Sequence, residues 1–281
     1  MEIISNSVNE TNAASLADVT CAEKSANKLT LQNVSAGYGE KIIVRDVSVE
    51  IEGGCLCALL GLNGSGKTTL IKAVCGLLPI SGGRCFVGDI DCTRLHEHKR
   101  ARYISYIPQR HSKLVGVTVK DAAAMGLNPK LGLFEFPSKE DMEYVLQTLE
   151  KMNISHLANS IFSELSEGQK QLVILARTLV QNCPIMLLDE PDSALDFNNR
   201  HKMLTKIRNL VKIEYKVALM ALHDPNLALK YCDRLLIFKD GTVAADITVP
   251  GSAAEKIRDA LSVIYGDINV FELGGELMVT L

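Results

Sequence analysis

The residues best suited to chemistry form one short run, Gly61-Leu62-Asn63-Gly64-Ser65-Gly66-Lys67-Thr68. This run fits the pattern G-x-x-x-x-G-K-[ST] of a phosphate-binding loop. Glycine lets the backbone curl closely around an anion with its N–H groups pointing inward. The lysine then reaches the β- and γ-phosphates of a nucleotide, and the threonine hydroxyl is placed to bind Mg²⁺. The run therefore predicts a nucleotide site.

The segments on both sides of this loop have the order that such a site requires. Residues 55–60 are apolar and uncharged, which is typical of a buried parallel strand, with Cys55 and Cys57 as small core side chains. Residues 69–75 predict a helix with one apolar face. The positive end of that helix would lie against the bound anion.

Composition narrows the class of protein. The net charge is −3 and the pI about 6.1, which does not indicate a nucleic-acid partner. We find no run near the 18 or so apolar residues of a membrane helix, and no secretory signal in residues 1–28. The eight cysteines are scattered without metal-ligand spacing, which indicates reduced thiols. These features predict a soluble, cytoplasmic protein.

The order of elements predicts an α/β fold with a mostly parallel sheet flanked by helices. From residue 168 onward, predicted helices alternate with apolar strands. The helices are 168–180, 199–211 and 225–230, and the strands are 185–188, 217–222 and 234–238. Earlier strands are predicted at 29–34, 42–51, 84–87 and 103–108, with Ser81-Gly82-Gly83 as a turn.

The remaining segments divide the chain further. Residues 1–28 predict a loosely ordered tail, and 29–250 the main domain. Within the main domain, roughly 110–165 predicts a helical insert, in which Ser138 and Asp141 form an acidic capping box. Residues 251–281 predict a small extension with a helix near 253–264 and two short strands.

Polar residues follow three of the predicted strands. Asp189 and Glu190 end one strand, His223 follows another and Gln109 ends a third. At the carboxyl edge of a parallel sheet beside a phosphate-binding loop, Asp189 would hold Mg²⁺ and Glu190 would deprotonate the attacking water. His223 would contact the γ-phosphate, and Gln109 would touch both metal and water. The alternatives are acids that complement a helix dipole and a structural histidine.

The segment Leu165-Ser166-Glu167-Gly168-Gln169 adds a second anion site at a helix N-terminus. A compact monomer does not need two such sites around one nucleotide, whereas two chains facing head to tail would use both. The whole set resembles the nucleotide-binding subunit of an ABC transporter over roughly residues 29–245. The motifs that carry the resemblance are 61–68, Gln109, 165–169, Asp189-Glu190, 193–196 and His223.

The resemblance implies an ABC-type P-loop NTPase with an N-terminal antiparallel β region, a helical insert and ATPase activity dependent on ATP and Mg²⁺. Tyr38 resembles the aromatic residue that stacks on adenine, although its turn position alone equally fits a surface tyrosine. The implied ATP-binding residues are Tyr38, Gly61, Leu62, Asn63, Gly64, Ser65, Gly66, Lys67, Thr68 and Thr69. The implied catalytic residues are Glu190, His223 and Gln109, and the metal ligands are Thr68, Gln109 and Asp189. The implied contacts with a second copy are Ser166, Glu167, Gly168 and Gln169 of the signature, with Ser193 and Asp196 of the interface loop.

Glu167 departs from the family's pattern, which usually has a glycine at this position. Glutamate adopts positive φ less readily than glycine, and its charge would repel a γ-phosphate. If its side chain points to solvent, the loop works normally, because the phosphate contacts come from backbone N–H groups. We expect activity to survive.

Further segments are similar to a subgroup that imports iron chelates, haem and corrinoids. They are 102–109, 131–134, 137–141, 195–197, 223–228 and 231–234. The subgroup implies a head-to-tail dimer on the cytoplasmic face of the membrane, under an integral membrane permease fed by an external substrate-binding protein. One alternative is a non-transport soluble ABC ATPase, which would usually carry two cassettes or a coiled-coil insert. A GTPase or nucleotide kinase is the other, but no N-K-x-D motif occurs.

Apolar residues of the insert exceed what one buried helical face needs. We expect some of them to line a groove that takes a short cytoplasmic helix of the permease. The alternative is that they only pack the insert onto the sheet. The residues are Val115, Val117, Leu131, Leu133 and Phe134.

Overall fold

The strands and helices follow one another in an α/β order. The computed structural model describes residues 27–109, 114–132, 134–193 and 195–281. The strands are β1 (Lys28–Tyr38), β2 (Lys41–Glu52), β3 (Leu56–Leu60), β4 (Ile80–Val87), β5 (Ile90–Asp91), β6 (Ile104–Ile107), β7 (Ile185–Asp189), β8 (Val217–Leu222), β9 (Arg234–Lys239), β10 (Thr242–Thr248), β11 (Asn269–Leu273) and β12 (Glu276–Thr280). The helices are α1 (Lys67–Cys75), α2 (Glu97–Arg100), α3 (Val119–Ala124), α4 (Lys139–Lys151), α5 (Glu167–Gln181), α6 (Phe197–Ile213), α7 (Pro225–Tyr231) and α8 (Ala254–Tyr265).

A six-stranded sheet carries the polar strand ends noted above. Its spatial order is β10-β9-β3-β8-β7-β6. All neighbours from β9 to β6 pair in parallel, and β10 pairs antiparallel with β9 at one edge. The prediction of a mostly parallel sheet flanked by helices is confirmed. The sequence did not predict β10, because only one residue of this edge strand is fully buried and its apolar pattern is weak.

The register of this sheet brings distant residues to one edge. Leu60 pairs with Leu222, and Asp189 pairs with Ala221, so β3, β7 and β8 end at the same level. The phosphate-binding loop and His223 follow directly from the ends of β3 and β8, and Asp189 and Glu190 lie at the end of β7. Parallel strands place their carboxyl ends together, and ligands bind there.

A second, four-stranded sheet of order β2-β1-β4-β5 forms the expected antiparallel region. One detail of the prediction is wrong: Gly82 and Gly83 do not form a turn but lie inside β4, which begins at Ile80. Gly83 has φ 80°, and a Cβ there would lie 2.2 Å from the carbonyl oxygens of Gln32 and Asn33. The register of β1 against β4 shifts at this point, because Asn33 and Val34 of β1 lie opposite the single residue Gly83, which is a β-bulge in β1.

The two faces of the six-stranded sheet bury separate clusters, as strand alternation requires. Leu56, Ala58 and Leu60 of β3 face the cluster that includes the helices of the insert. Cys57 and Leu59 face the cluster that includes α1 and the antiparallel sheet. Cys57 is therefore a core side chain as predicted, whereas Cys55 precedes the strand and is only partly buried. The seven cysteines among the described residues are free thiols.

The segment between β6 and β7 is helical. Helices α3, α4 and α5 contact one another, and the capping box of Ser138 and Asp141 at the start of α4 is confirmed. After β10 come α8 and a two-stranded hairpin of β11 and β12. Predictions that rest on residues 1–26, Arg110, Leu133 or Ala194 lie outside the described residues.

Candidate functional site

The loop between β3 and α1 has the backbone of an anion cradle. Gly66 caps the helix with φ 107°, a left-handed conformation that a side chain would strain. Because glycine offers no side chain, the first-turn N–H groups of α1 receive no side-chain cap. The Ser65 hydroxyl beside them is buried and has no hydrogen-bond partner. Free donors and a positive helix end fit a phosphate.

Lys67 spans the mouth of this loop. Its Nζ donates to the carbonyls of Gly61 at 2.8 Å and Leu62 at 3.2 Å, and the residue is 4% exposed. Burial lowers the pKa of Lys67, while the nearby charges of Glu190 and Asp189 act in the opposite direction. The carbonyls hold the ammonium at the cradle where an anion would compete for it.

Thr68 and Asp189 meet beside the lysine. The Thr68 hydroxyl donates to Asp189 Oδ1 at 3.0 Å, although the two residues are far apart in the chain. Asp189 is 1% exposed, and burial raises its pKa, while the hydrogen bond from Thr68 lowers it. Burial and the Asp189 charge also raise the pKa of the Tyr106 phenol on β6.

Glu190 is the centre of a second set of contacts. Gln109 Nε2 donates to one carboxylate oxygen at 2.5 Å, and His223 Nε2 lies 2.5 Å from the other. Glu190 has φ 50°, a left-handed conformation that costs a non-glycine residue free energy. The structure thus brings Gln109, Glu190 and His223 together, from three strand ends, with a strained backbone at the residue they share.

An open cleft of about 280 Å³ joins these residues to the aromatic ring predicted to stack on a base. Its lining includes Tyr38, Asn63, Gly64, Thr69 and Glu190. Tyr38, at the end of β1, is 53% exposed. An exposed ring at a cleft wall is able to stack on a planar group.

The signature segment begins α5 and lies apart from this cleft. Ser166 caps the helix, and a capping box joins it to Gln169. Glu167 is the first helical residue and is not among the positive-φ residues. Its exposed side chain pairs with Lys170 at 2.8 Å. In the part of the chain that the structure describes, residues 165–169 make no hydrogen bond or ion pair with the loop of residues 61–68.

The segment after Glu190 leads into α6. The Ser193 N–H donates to the Glu190 carbonyl at 3.2 Å. Asp196 caps α6 and accepts from the backbone N–H and side-chain amide of Asn199, each at 2.8 Å. Burial raises the pKa of Asp192, whose carboxylate lies 3.4 Å from Arg200 Nε.

Several of these neighbours were not predicted from the sequence. They are Tyr106, the pair Asp192 and Arg200, and Tyr265, whose hydroxyl donates to the His223 carbonyl. Asp192 lies two residues after Glu190 and could have been singled out as a third acid. No local pattern points to Tyr265, because the contact spans 42 residues.

Comparison with known proteins identifies the family. A family model described as ABC transporter matches residues 44–193. The chain belongs to the ABC transporter family. A protein of Helicobacter pylori described as a probable iron chelatin transport ATP-binding protein is 33% identical over 223 residues, which cover 79% of this chain and 88% of that protein. A hemin import ATP-binding protein of Shewanella denitrificans is 33% identical over 243 residues, which cover 84% of this chain and 92% of that protein.

A dimeric structure of a bacterial ABC transporter cassette has a TM-score of 0.70 and 27% identity, covering 80% of this chain and all of that one. The chain is accordingly an ATP-binding cassette of the P-loop fold, from a family that hydrolyses ATP. The predicted family, fold and enzyme class are confirmed. The individual roles of its site residues stay predictions.

The cassette's residues also fit a magnesium–nucleotide complex. Among the described residues, no three or more His, Cys, Asp or Glu side chains cluster in a way that could hold a metal. Mg²⁺ needs no such cluster, since it binds through one or two carboxylates, waters and substrate phosphates. The Thr68 hydroxyl beside Asp189 supplies that kind of partial site. Within the described ranges, no helix has the length and apolar character to cross a bilayer.

Proposed function

We propose that this cassette is the ATP-hydrolysing subunit of an importer that moves a metal chelate through a membrane permease. The observation that carries the catalytic part is the meeting of Glu190, Gln109 and His223 at the sheet edge beside the phosphate-binding loop. Charged and polar groups that converge on one cleft, with a strained backbone at the central residue, are typical of a catalytic site.

ATP binding is assigned to the cleft and the loop. Lys67 exchanges its carbonyl partners for the β- and γ-phosphates, and the N–H groups of residues 63–69 together with the Ser65 hydroxyl surround the same anion. Tyr38 stacks on the adenine from the cleft wall. The Tyr38 ring is exposed, the start of α1 has no side-chain cap, and the Ser65 hydroxyl has no hydrogen-bond partner, so these groups are available to ATP.

Thr68, Asp189 and Gln109 would hold Mg²⁺ together with the phosphates. When bound, the ion neutralises charge that develops on the phosphates during hydrolysis. Asp189 contributes through its buried carboxylate, which the Thr68 hydroxyl orients. Gln109 is assigned to the same ion because its side chain bonds to Glu190, the residue that follows Asp189.

Glu190 orients and deprotonates the attacking water. In the described structure both of its oxygens are engaged, one by Gln109 and one by His223. A γ-phosphate attracts both partners, since each carries an N–H donor, and their departure frees the carboxylate for water. His223 then contacts the phosphate directly. Glu190 therefore becomes available to activate water only when the γ-phosphate of ATP is bound.

Two copies of the cassette act together, facing head to tail. Ser166, Gly168 and Gln169 begin α5 and, among the described residues, make no hydrogen bond or ion pair with the chain's own loop. We therefore assign them to the phosphate held by a second copy. Glu167 is exposed and pairs with Lys170, and the capping box uses the N–H of Gln169 rather than those of Glu167 and Gly168. Ser193 and Asp196 lie in the loop that crosses this interface.

The cargo and the remaining partners are proposed from the relatives. Iron chelatin transport and hemin import are the functions in the names of two similar proteins, and both favour transport over a soluble ATPase without a permease. We assign a metal chelate as the cargo class, an integral membrane permease as the direct partner and an external substrate-binding protein as the indirect one. The cassette then lies on the cytoplasmic face of the membrane.

Docking to the permease is assigned to the insert. Val115, Phe134 and Phe136 are each at least 80% exposed, whereas Val117 and Leu131 pack against the core. The exposed members of the predicted groove, Val115 and Phe134, are therefore assigned to contact a permease helix, together with the exposed Phe136.

Replacement of Glu190 by Gln tests the catalytic assignment. We expect kcat to fall by about 10²- to 10⁴-fold, because the amide cannot accept the water proton. ATP binding should be unchanged, and a nucleotide-bound dimer should accumulate in size-exclusion chromatography with ATP and Mg²⁺. The matched control is Glu164→Gln, an acid-to-amide change in the 3₁₀ turn Phe162–Glu164, which precedes the signature. Wild-type turnover of Glu190→Gln would remove Glu190 from this role.

A growth and uptake assay tests the cargo. A strain lacking the gene should lose uptake of at least one among an iron chelate, haem and cobalamin, while molybdate uptake is retained. The wild-type gene should restore uptake and the Glu190→Gln variant should not. Normal uptake of all three metal chelates would contradict the cargo class, whatever the ATPase measurements show.

A further inference from the structure

The C-terminal extension lies against the segment that carries His223. Tyr265, at the end of α8, donates its hydroxyl to the His223 carbonyl at 3.0 Å. Val279 of β12 exchanges two backbone hydrogen bonds with the Asn226 side chain, at 2.7 and 3.3 Å. Lys230 pairs with Glu276 at 2.8 Å. Three separate contacts therefore join residues 251–281 to the short stretch from His223 to Lys230.

The contact at His223 differs from the other two. The hydrogen-bond ladder of α7 begins one residue later, where the Ala228 N–H donates to the Asp224 carbonyl at 3.2 Å. Asp224 itself caps the helix through its side chain. The carbonyl of His223 thus lies outside this ladder, and Tyr265 holds the peptide that joins His223 to α7.

The tyrosine keeps its proton under ordinary conditions. Burial, with a contribution from the Asp224 charge, raises the pKa of Tyr265 to about 12. The hydroxyl is therefore a permanent donor at neutral pH. The carbonyl on the other side is always an acceptor, so the contact does not depend on protonation near neutral pH.

We propose that Tyr265 is a positioning residue for ATP hydrolysis, because its hydroxyl fixes the main chain from which the His223 side chain reaches the reacting phosphate. This inference rests on the role proposed above for His223. The imidazole lies 2.5 Å from Glu190, so a small shift of its backbone moves it relative to both the base and the phosphate. Displacements near 1 Å at a reacting centre are able to cost about 10²-fold in rate.

Replacement of Tyr265 by Phe tests the proposal, since it removes the hydroxyl and keeps the ring. The matched control is Tyr144→Phe, because Tyr144 on α4 also donates to a main-chain carbonyl, that of Leu179, at 3.4 Å. We expect Tyr265→Phe to lower kcat about three- to tenfold without changing KM for ATP. Tyr144→Phe should leave both unchanged. Thermal unfolding of both variants shows that each is folded.

A double variant tells whether Tyr265 acts through His223. We expect His223→Ala to lower kcat strongly, and Tyr265→Phe to add nothing further in that background. Equal kcat for Tyr265→Phe and wild type would overturn the inference. So would a loss in the His223→Ala background as large as that in the wild-type background. Wild-type turnover of His223→Ala would instead refute the role of His223, and the inference with it.

Discussion

Replacing Glu167 by Gly restores the residue that the family usually has at this position of the signature. Glu167 is the first residue of α5, its side chain is 61% exposed, and it pairs with Lys170 at 2.8 Å. Its backbone has no positive φ that glycine would relieve. The structure therefore separates two effects of the change, one on stability and one on the charge near a partner's phosphate.

The stability effect is the sum of three small terms. The exposed i,i+3 ion pair contributes about 0.2–0.5 kcal/mol, and an acid at a helix N-terminus contributes about 0.3–1 kcal/mol. Glycine lowers helix propensity by up to about 1 kcal/mol. We expect Glu167→Gly to lower the free energy of unfolding by about 1–2 kcal/mol, which lowers Tm by about 2–6 °C.

The catalytic effect should be small. Because the carboxylate is exposed and paired, solvent and salt screen its charge, and we expect ATPase activity to stay within about threefold of wild type. Steady-state ATPase at two salt concentrations and thermal unfolding of the purified chain measure both effects. Glu167→Gln is the control that removes the charge and keeps a side chain at the start of the helix.

A clear result would refute this reasoning. If Glu167→Gly and Glu167→Gln both raised the ATPase rate tenfold or more, the carboxylate would face the phosphate in the working dimer and restrain the enzyme. If only Glu167→Gly did so, the backbone of the signature would need a conformation that the described structure does not have.

Three further predictions concern other parts of the cassette. Lys67→Ala should weaken ATP binding about 10- to 150-fold in a titration, because a charge-assisted contact to phosphate contributes about 1.5–3 kcal/mol; unchanged affinity would contradict the assignment. Burial raises the pKa of Asp189, so the ionised carboxylate destabilises the folded chain. This loss of folding free energy develops as pH rises from the unfolded pKa of about 4 through the higher folded pKa. Asp189→Asn should therefore raise the Tm of the nucleotide-free chain at pH 7, with a difference that disappears below pH 4, and a lower Tm at pH 7 would contradict this. Phe134→Ser and Phe136→Ser should each lower transport by the assembled complex and leave the ATPase activity of the isolated chain unchanged. Leu131→Ser, at a residue packed against the core, should instead lower Tm. If the two Phe variants lost folding and ATPase activity together, a docking role for these residues would be contradicted.

Some predictions succeeded because their signals are local. The phosphate-binding loop occupies eight consecutive residues, and its strand and helix adjoin it. The capping box at Ser138 likewise needs only two residues that are three apart. The parallel sheet followed from the alternation of apolar strands with helices, because each strand is buried on both faces.

Local signals were not enough where one signal fits two structures. Gly82-Gly83 is typical of a turn, but glycine also fits a strand where the neighbouring backbone comes close, and pairing with β1 decided between them. For the insert, the sequence predicted only that some apolar residues would be available to a partner, and the fold decided which. Val117 and Leu131 are partly buried against the core, whereas Val115 and Phe134 are exposed. Periodicity alone does not show which neighbour covers a side chain.

The sequence by itself determined the chemistry that is available: a loop for phosphate, a carboxylate pair, a glutamine and a histidine at strand ends. Only the tertiary structure decided how these groups contact one another. Glu190 bonds to Gln109 and His223 across 81 and 33 residues of chain, and Tyr265 reaches His223 across 42 more. Strand register and the packing of the C-terminal extension create these contacts, and both depend on the burial of the whole core rather than on any short run of residues.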